Sequence, residues 1–190
     1  MKVIRGIFKN RYLTVPKGIR AVSLRVKKSL FDLIREEVAE AKVLDLFSGS
    51  GSLGIEALSL GASEVVFVDI KKSSIDTIYK NLATLKASTK ATLVLKDAFK
   101  AIKDFYAQEE KFDIIFLDPP YYKGLSTKSL QTLDEYDILA SHGLVITVCY
   151  YKDNIDRIFK SFSKVLSKKY GQTLLLIYKK NGEGSLSWNF

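Results

Sequence analysis

The sequence predicts an α/β protein built on a doubly wound, mostly parallel sheet. Short runs of apolar and β-branched residues alternate with helical patterns between residues 42 and 178, and the connections are short. A glycine-rich turn joins the first apolar run to the first helical pattern, which is typical of sheets that bind ligands at their carboxyl edge. A length of 190 residues suffices to bury the core of one such domain.

The amino-terminal segment predicts a small basic β-hairpin followed by a helix. Residues 3–8 and 11–15 are strand-like runs separated by Lys9-Asn10, and Pro16 ends the second run. In residues 24–38 apolar side chains recur at roughly helical spacing. This pattern predicts an amphipathic helix that covers one edge of the sheet.

The remaining strands and helices largely alternate. Strands are predicted at residues 42–47, 64–69, 91–95, 112–117, 143–150 and 172–178. Helices are predicted at residues 53–60, 73–85, 98–106 and 153–166. We therefore expect a basic arm at residues 1–22, a main domain at residues 23–180 and a tail at residues 181–190.

The net charge of +9 is concentrated in the amino-terminal segment. Residues 1–31 contain no acid and nine basic residues, and the rest of the chain has 21 basic and 21 acidic residues. A neutral body with a basic arm predicts a polyanionic partner, most simply nucleic acid, rather than a solvated surface without a partner. The predicted RNA contacts are Arg5, Lys9, Arg11 and Arg20.

Composition excludes several other classes of function. Cys149 is the only cysteine and His142 the only histidine, so we expect no metal centre, no disulfide and no Ser-His-Asp chemistry. No apolar run approaches the roughly 20 residues that span a bilayer, and the first residues lack the apolar core of a signal peptide. These features predict a cytoplasmic protein without a membrane partner.

The glycine-rich turn predicts a binding site for a nucleoside. Gly49, Gly51 and Gly54 follow the first strand in the pattern G-x-G-x-x-G. Glycines at these positions allow a tight turn and close approach of a ligand, and the next helix presents free N–H groups. The turn lacks the Gly-Lys-Ser/Thr of a nucleoside triphosphate loop. A dinucleotide and S-adenosylmethionine both remain compatible with the turn.

Acidic residues at three successive strand ends favour the second ligand. Asp45 precedes the turn, where it would attract an ammonium group and repel a pyrophosphate. Asp69 can accept hydrogen bonds from ribose hydroxyls, and Asp97 or its neighbour can meet the adenine amine. Each acid alone could be a cap. The predicted cofactor contacts are Asp45, Phe47, Gly49, Gly51, Asp69, Ile70, Asp97 and Ala98.

A stiff tetrapeptide, Asp118-Pro119-Pro120-Tyr121, follows the fourth strand. Two prolines cannot extend a sheet ladder, so they hold an acid and an aromatic ring on a rigid turn at the carboxyl edge. We predict that these four residues form the catalytic site.

These motifs make the sequence resemble the class I S-adenosylmethionine-dependent methyltransferases. Within that class it resembles the bacterial RsmD-type small-subunit ribosomal RNA guanine-N2 methyltransferases over about residues 3–178. The resemblance is carried by Ile4-Arg5-Gly6, Arg11, Leu13, Arg20, residues 25–31, residues 43–59, Asn81-Leu82 and the tetrapeptide.

The resemblance implies a seven-stranded Rossmann-like methyltransferase fold with a basic amino-terminal extension that binds RNA. It implies methyl transfer from S-adenosylmethionine to the exocyclic N2 amine of a guanine in 16S ribosomal RNA. The chain departs from the family pattern at Arg20-Ala21-Val22, at Asp69, where a glutamate is usual, and at Cys149, where a glutamate is often found.

Three alternatives are compatible with the residues. The tetrapeptide could serve a DNA or RNA adenine-N6 methyltransferase, and the glycine turn could bind a dinucleotide for hydride transfer. The chain could also be a non-catalytic RNA-binding protein on a methyltransferase scaffold. We expect ribosomal RNA or an assembling small-subunit particle as the partner, and a monomer.

Overall fold

A computed structural model describes residues 1–19, 22–121, 124–153, 155 and 158–182. Its centre is a seven-stranded sheet with the order β3-β2-β1-β4-β5-β7-β6. The strands are β1 (Lys42–Leu46), β2 (Glu64–Asp69), β3 (Ala91–Leu95), β4 (Phe112–Leu117), β5 (Leu139–Tyr150), β6 (Phe162–Tyr170) and β7 (Thr173–Lys180). Strands β1 to β5 pair in parallel, while β7 is antiparallel to both of its neighbours. The predicted fold class is confirmed.

Helices cover both faces of the sheet. They are α1 (Leu24–Leu33), α2 (Arg35–Val38), α3 (Ser52–Ser59), α4 (Lys72–Leu85), α5 (Ala98–Ala107) and α6 (Leu125–Glu135), with a short 3₁₀ helix at Ser88–Lys90. One core cluster joins the sheet to α1, α3 and α4, and the other joins it to α5 and α6. None of the described helices is long and apolar enough to cross a membrane.

Predicted strands β2, β3 and β4 are confirmed at both ends. Strand β5 begins at Leu139, before the predicted residue 143, because a bulge interrupts its pairing with β4. His142 lies in this irregular part, exposed and with φ of +66°. It is therefore a residue of the irregular first part of β5, and it does not line the cavity described below.

The predicted helix at residues 153–166 is wrong. The described residues of this segment contain no helix, and β6 begins at Phe162 and pairs with β7. The apolar residues Ile155, Phe159 and Phe162 mimic helical spacing, yet they bury against the sheet as a loop and a strand. Pairing with β7 therefore overrides the local pattern. Helix α6 was not predicted, since its buried face includes Ser126 and Ser129.

The predicted helix at residues 24–38 is interrupted. Ile34 leaves helical geometry, with φ of −109° and ψ of 20°, and separates α1 from α2. Helix α1 covers a face of the sheet and not an edge, since the rings of Phe31 and Phe116 in β4 are 5.8 Å apart. The edge strands are β3 and β6.

The amino-terminal segment reverses direction as predicted but forms only one isolated antiparallel bridge, between Lys2 and Tyr12. The Val3 N–H donates to the carbonyl of Arg11 at 2.9 Å. Val3, Leu13 and Val22 are buried in the same core cluster as α3 and α4. The segment thus packs as part of the main core. Residues 183–190 of the predicted tail lie outside the described residues.

Candidate active site

A cavity of about 450 Å³ lies at the carboxyl edge of the sheet, at the ends of β1, β2 and β4. All predicted catalytic residues and all predicted cofactor contacts except Gly51 line it. Among the lining residues that the structure describes, four are acids and one, Lys71, is basic. The described wall of this cavity is therefore acidic, although the protein is basic. The acids are Asp45, Asp69, Asp97 and Asp118.

The glycine turn places its backbone against the cavity. Phe47 and Gly49 have φ of +61° and +56°, and the Ser48 N–H donates to the carbonyl of Val68 in β2 at 3.0 Å. The Gly49 N–H donates to the Asp69 carboxylate at 2.8 Å. These bonds tie the turn to β2, so the turn and Asp69 form one wall.

The other two glycines of the motif serve packing. Gly51 does not line the cavity; it has φ of +76° and lies against buried apolar side chains. A Cβ at Gly54 would lie 2.3 Å from a ring carbon of Phe67 in β2, so α3 can approach the sheet only with glycine there. The motif thus contributes one glycine, Gly49, to the cavity wall.

Asp45 is a buried acid with other acids nearby. Its side chain is 2% exposed and accepts a hydrogen bond from the Gly54 N–H at 3.0 Å. Burial, assisted by the negative charges of Asp118 and Asp69, raises the pKa of Asp45 to about 8. A cationic group in the cavity would favour the ionised carboxylate.

Asp69 and Asp97 both accept hydrogen bonds from backbone N–H groups, and both line the cavity. Asp69 accepts from the N–H groups of Gly49 and Lys71, each at 2.8 Å. Asp97 caps α5 by accepting from the N–H groups of Phe99 and Lys100, at 3.0 and 3.1 Å. A carboxylate has about four acceptor sites, so both retain capacity for a ligand.

The tetrapeptide turns away from the end of β4 with its two prolines on the cavity wall. The Tyr121 hydroxyl donates to Thr173 Oγ1 at 3.1 Å, which anchors the ring to β7. Cys149 is buried behind this wall and does not line it. Burial, with smaller contributions from Asp153 and Asp118, raises the pKa of its thiol to about 12, so the thiol is neutral.

Besides six wall residues that adjoin predicted contacts in the glycine turn or beside Asp69, namely Ser48, Ser50, Ser52, Leu53, Val68 and Lys71, sequence reasoning missed six residues from other segments of the cavity wall. Two come from strands that carry no local motif, and four precede α1. The sequence does contain a signal near the four residues that precede α1, because Pro16 and Gly18 together predict a turn. The missed residues are Gly18, Ile19, Val22, Ser23, Val148 and Thr173.

A buried ion pair fastens the arm to α1 and α3. Lys27 Nζ lies 2.8 Å from Glu56 Oε2, and both side chains are fully buried. Glu56 also accepts from the N–H groups of Ile4 and Arg5, and Lys27 donates to the Lys2 carbonyl at 2.9 Å. Burial lowers the pKa of Lys27, and the charge of Glu56 opposes this shift. The pair therefore holds the arm, α1 and α3 together, and we call this contact the arm junction.

Three of the predicted RNA contacts, Arg5, Lys9 and Arg11, lie at the surface of this arm. The Arg5 guanidinium pairs with Asp32, and Arg11 Nη2 donates to the Thr84 carbonyl at 3.3 Å. Lys9 is exposed, and Arg20 lies outside the described residues. Asn81 of α4 bonds Thr14 and the Ser50 carbonyl, joining the arm to the glycine turn. No group of residues suited to a metal ion was found in the described part of the chain.

Comparison with known proteins identifies relatives over nearly the whole chain. The family model described as Conserved hypothetical protein 95 matches residues 1–179. The Bacillus subtilis protein YlbH is 37% identical over 96% of this chain and 100% of its own length. Ribosomal RNA small subunit methyltransferase D of Escherichia coli is 30% identical over 97% of this chain and 92% of its own length. The structure of Escherichia coli yhhF has a TM-score of 0.84 at 30% identity, covering 96% of this chain and 99% of that chain.

Proposed function

The chain belongs to the family described as Conserved hypothetical protein 95, and on this premise we propose that it methylates ribosomal RNA. The donor is S-adenosylmethionine, and the acceptor is the exocyclic N2 amine of a guanine in small-subunit 16S ribosomal RNA. The printed name of the Escherichia coli relative supports the ribosomal RNA of the small subunit. The choice of the guanine amine rests on the sequence resemblance.

The observation that carries the proposal is an acidic cavity that also contains the tetrapeptide. In a chain of net charge +9, four acids meet at one cavity beside Asp118-Pro119-Pro120-Tyr121. Such a cavity attracts a cationic ligand and disfavours a pyrophosphate or an RNA phosphate. S-adenosylmethionine, which has an ammonium and a sulfonium group, fits this donor set better than a dinucleotide does.

Three acids and one turn would hold the donor. The Asp45 carboxylate favours the ammonium group, and the Gly49 backbone allows close approach. The spare acceptor sites of Asp69 suit the ribose hydroxyls, and Asp97 or the Ala98 backbone suits the adenine amine. When bound, S-adenosylmethionine supplies an electrophilic methyl group. Phe47 and Ile70 provide apolar wall on either side.

The tetrapeptide would position the acceptor amine. The guanine amine is a weak nucleophile because its lone pair is delocalised into the ring. Hydrogen bonds from this amine to the Asp118 carboxylate and the Pro119 carbonyl would favour a pyramidal nitrogen and aim its lone pair. Tyr121, anchored at Thr173, offers a ring for the base to stack on. Positioning can lower a barrier by roughly 7–11 kcal/mol, more than general-base catalysis contributes.

Substitution of Asp118 tests the catalytic assignment. We expect Asp118→Ala to lower kcat for methylation of 16S ribosomal RNA about 100- to 1000-fold, a loss comparable to removal of one positioned polar group. Affinity for S-adenosylhomocysteine should not weaken. Asp113→Ala, which removes an exposed acid from the same strand, is the control. Full activity in Asp118→Ala with unchanged cofactor affinity would contradict the mechanism.

The basic arm is proposed to bind RNA phosphates through Arg5, Lys9, Arg11 and Arg20. We expect the variant Arg5→Ala/Lys9→Ala/Arg11→Ala to reduce the slope of log affinity against log salt by about 2 to 3. The control variant is Lys42→Ala/Lys103→Ala/Lys111→Ala, which removes three charges remote from the cavity. Equal slopes in wild type and arm variant would exclude the arm as the RNA contact.

The modified nucleoside separates the remaining possibilities. Mass mapping of ribosomal RNA from cells with and without the protein should show one N2-methylguanosine that depends on it. An N6-methyladenosine would assign adenine as the target. Cofactor binding without any dependent methylation would indicate a non-catalytic RNA-binding protein. Assays on naked RNA and on small-subunit particles would identify the substrate form, and we propose that the protein acts on it in the cytoplasm.

A further inference from the structure

A row of aromatic side chains leads away from the cavity along the carboxyl edge of the sheet. Tyr150, Thr173 and Tyr170 are direct partners across β5, β7 and β6, so their side chains project from the same face. Thr173 lines the cavity and accepts the hydrogen bond from Tyr121. The ring of Tyr150 is centred 6.3 Å from that of Tyr121 and 4.9 Å from that of Tyr151. Tyr151 lies with Leu174 and Leu176 on the other face, so the rings pass over the edge of the sheet. We call these four tyrosines, Tyr121, Tyr150, Tyr151 and Tyr170, the tyrosine row.

Cationic side chains lie over the outer rings of the tyrosine row. Lys169 Nζ is 3.9 Å from the centre of the Tyr151 ring, and Lys152 Nζ is 5.7 Å from it. The Arg25 guanidinium lies 5.8 Å from the centre of the Tyr170 ring. The two lysines are exposed, and both rings are half-buried. Each outer ring therefore has a cation beside it, and the Tyr170 hydroxyl is also hydrogen-bonded to Ser29 of α1.

The sequence around the row is basic. Residues 158–180 contain no aspartate or glutamate. Their basic residues are Lys160, Lys164, Lys168, Lys169, Lys179 and Lys180. Asp153 lies in the loop after β5, where its charge contributes to the high pKa of Cys149. The net charge of residues 32–190 does not reveal this second basic region, because acidic residues elsewhere in that range balance its lysines.

We propose that the tyrosine row binds the single strand of RNA that flanks the target nucleotide. This inference rests on the proposed function, since it extends the same site. Bases stack on aromatic rings while neighbouring cations contact the phosphates, the combination that single-strand binding proteins use. A phosphate would draw Lys169 from the Tyr151 ring and leave that face to a base. Tyr121 would hold the target base, and Tyr150 and then Tyr151 the bases that follow, with Tyr170 beside Thr173 as a separate stacking position.

The position of the row complements that of the arm. Gly18 and Ile19, at the end of the arm, line the same cavity as Tyr121 and Thr173. A target base unstacked into the cavity costs a few kcal/mol, which contacts on its flanking strand can offset. Single-stranded RNA suits the row better than an apolar protein surface, because exposed lysines accompany the rings.

The experiment compares two tyrosine–lysine pairs of the same kind. Tyr151→Ala/Lys169→Ala alters the row. Tyr136→Ala/Lys103→Ala removes a half-buried tyrosine with an exposed lysine 5.0 Å from its ring centre, outside the cavity wall. The probes are an oligouridylate of about 12 nucleotides, within the usual site size of such proteins, and 16S ribosomal RNA. Affinity for S-adenosylhomocysteine and the thermal midpoint are measured in parallel.

We expect the row variant to raise the Kd for oligouridylate and the KM for ribosomal RNA about 10-fold, with kcat and cofactor affinity within about twofold of wild type. The control should match wild type, and Tyr151→Phe/Lys169→Arg should retain RNA binding. If the row variant is poorly folded, Lys169→Glu, at an exposed position, must produce the same loss.

Wild-type Kd and KM in the row variant, or an equal loss in the control, would overturn the inference. A loss seen on small-subunit particles but not on naked RNA would assign the row to a ribosomal protein and would also overturn it. Absence of methyl transfer by the wild-type protein would count against the proposed function alone, because oligouridylate binding still decides the role of the row.

Discussion

The arm junction and the cavity each bury an acid, and the two acids are stabilised in different ways. Glu56 at the arm junction is fully buried but has the Lys27 ammonium at 2.8 Å and two backbone N–H donors. Asp45 in the cavity is 2% exposed and accepts from one backbone N–H, with the negative charges of Asp69 and Asp118 nearby. The first acid is neutralised within the protein, whereas the second is suited to a ligand that brings a positive charge.

This difference separates a structural use of buried charge from a binding use. A buried pair offsets its desolvation only when every donor and acceptor is matched, and the contacts of Glu56 and Lys27 approach that condition. Asp45 has a raised pKa of about 8 because none of the cations in the described part of the chain compensates its burial. Perturbed acids of this kind concentrate at functional sites.

The largest expected effect comes from breaking the arm junction. Glu56→Gln leaves Lys27 buried without its counter-charge, and we expect a loss of about 3–5 kcal/mol in the free energy of unfolding. Urea unfolding measures this loss as a lower midpoint at unchanged slope. Lys27→Met/Glu56→Gln should recover most of it. The exposed pair of Lys72 and Asp76 gives the control, Asp76→Asn, which should cost less than about 1 kcal/mol.

An intermediate effect is expected at Asp45. Asp45→Asn should weaken binding of S-adenosylhomocysteine about 30-fold, since the ammonium loses its counter-charge. At pH 9 the same change should raise the thermal midpoint of the unliganded protein by about 5 °C, because a buried carboxylate no longer has to ionise. Calorimetric titration and thermal scans measure the two effects. Unchanged affinity would show that Asp45 is not the ammonium site.

The smallest effect is a pH dependence of cofactor affinity. Asp45 must be ionised to meet the ammonium group, and its pKa is about 8 in the free protein. Between pH 6.5 and 7.5 affinity should therefore rise by up to about tenfold and level off near pH 8. The sign follows because cofactor binding releases the Asp45 proton. Asp45→Asn should abolish the slope, and an equal slope in that variant would assign the proton to another group.

Much of the fold could be predicted because its strands are locally distinctive. Strands β2, β3 and β4 are short apolar runs bounded by polar or turn residues, and their predicted ends agree with the structure. The family resemblance and the fold class are confirmed by full-length relatives. Predictions for individual site residues stay predictions, although the cavity brings together all but Gly51 of the predicted catalytic and cofactor set.

The sequence by itself determined which groups could carry the chemistry. Its acids follow parallel strands, and parallel strands end at one edge, so Asp45, Asp69 and Asp118 had to lie near one another. Only the tertiary structure decided that β6 is a strand, that Gly51 packs in the core while Gly49 lines the cavity, and that Thr173 anchors Tyr121. Those outcomes depend on pairing and packing between segments distant in the chain, which local spacing does not encode.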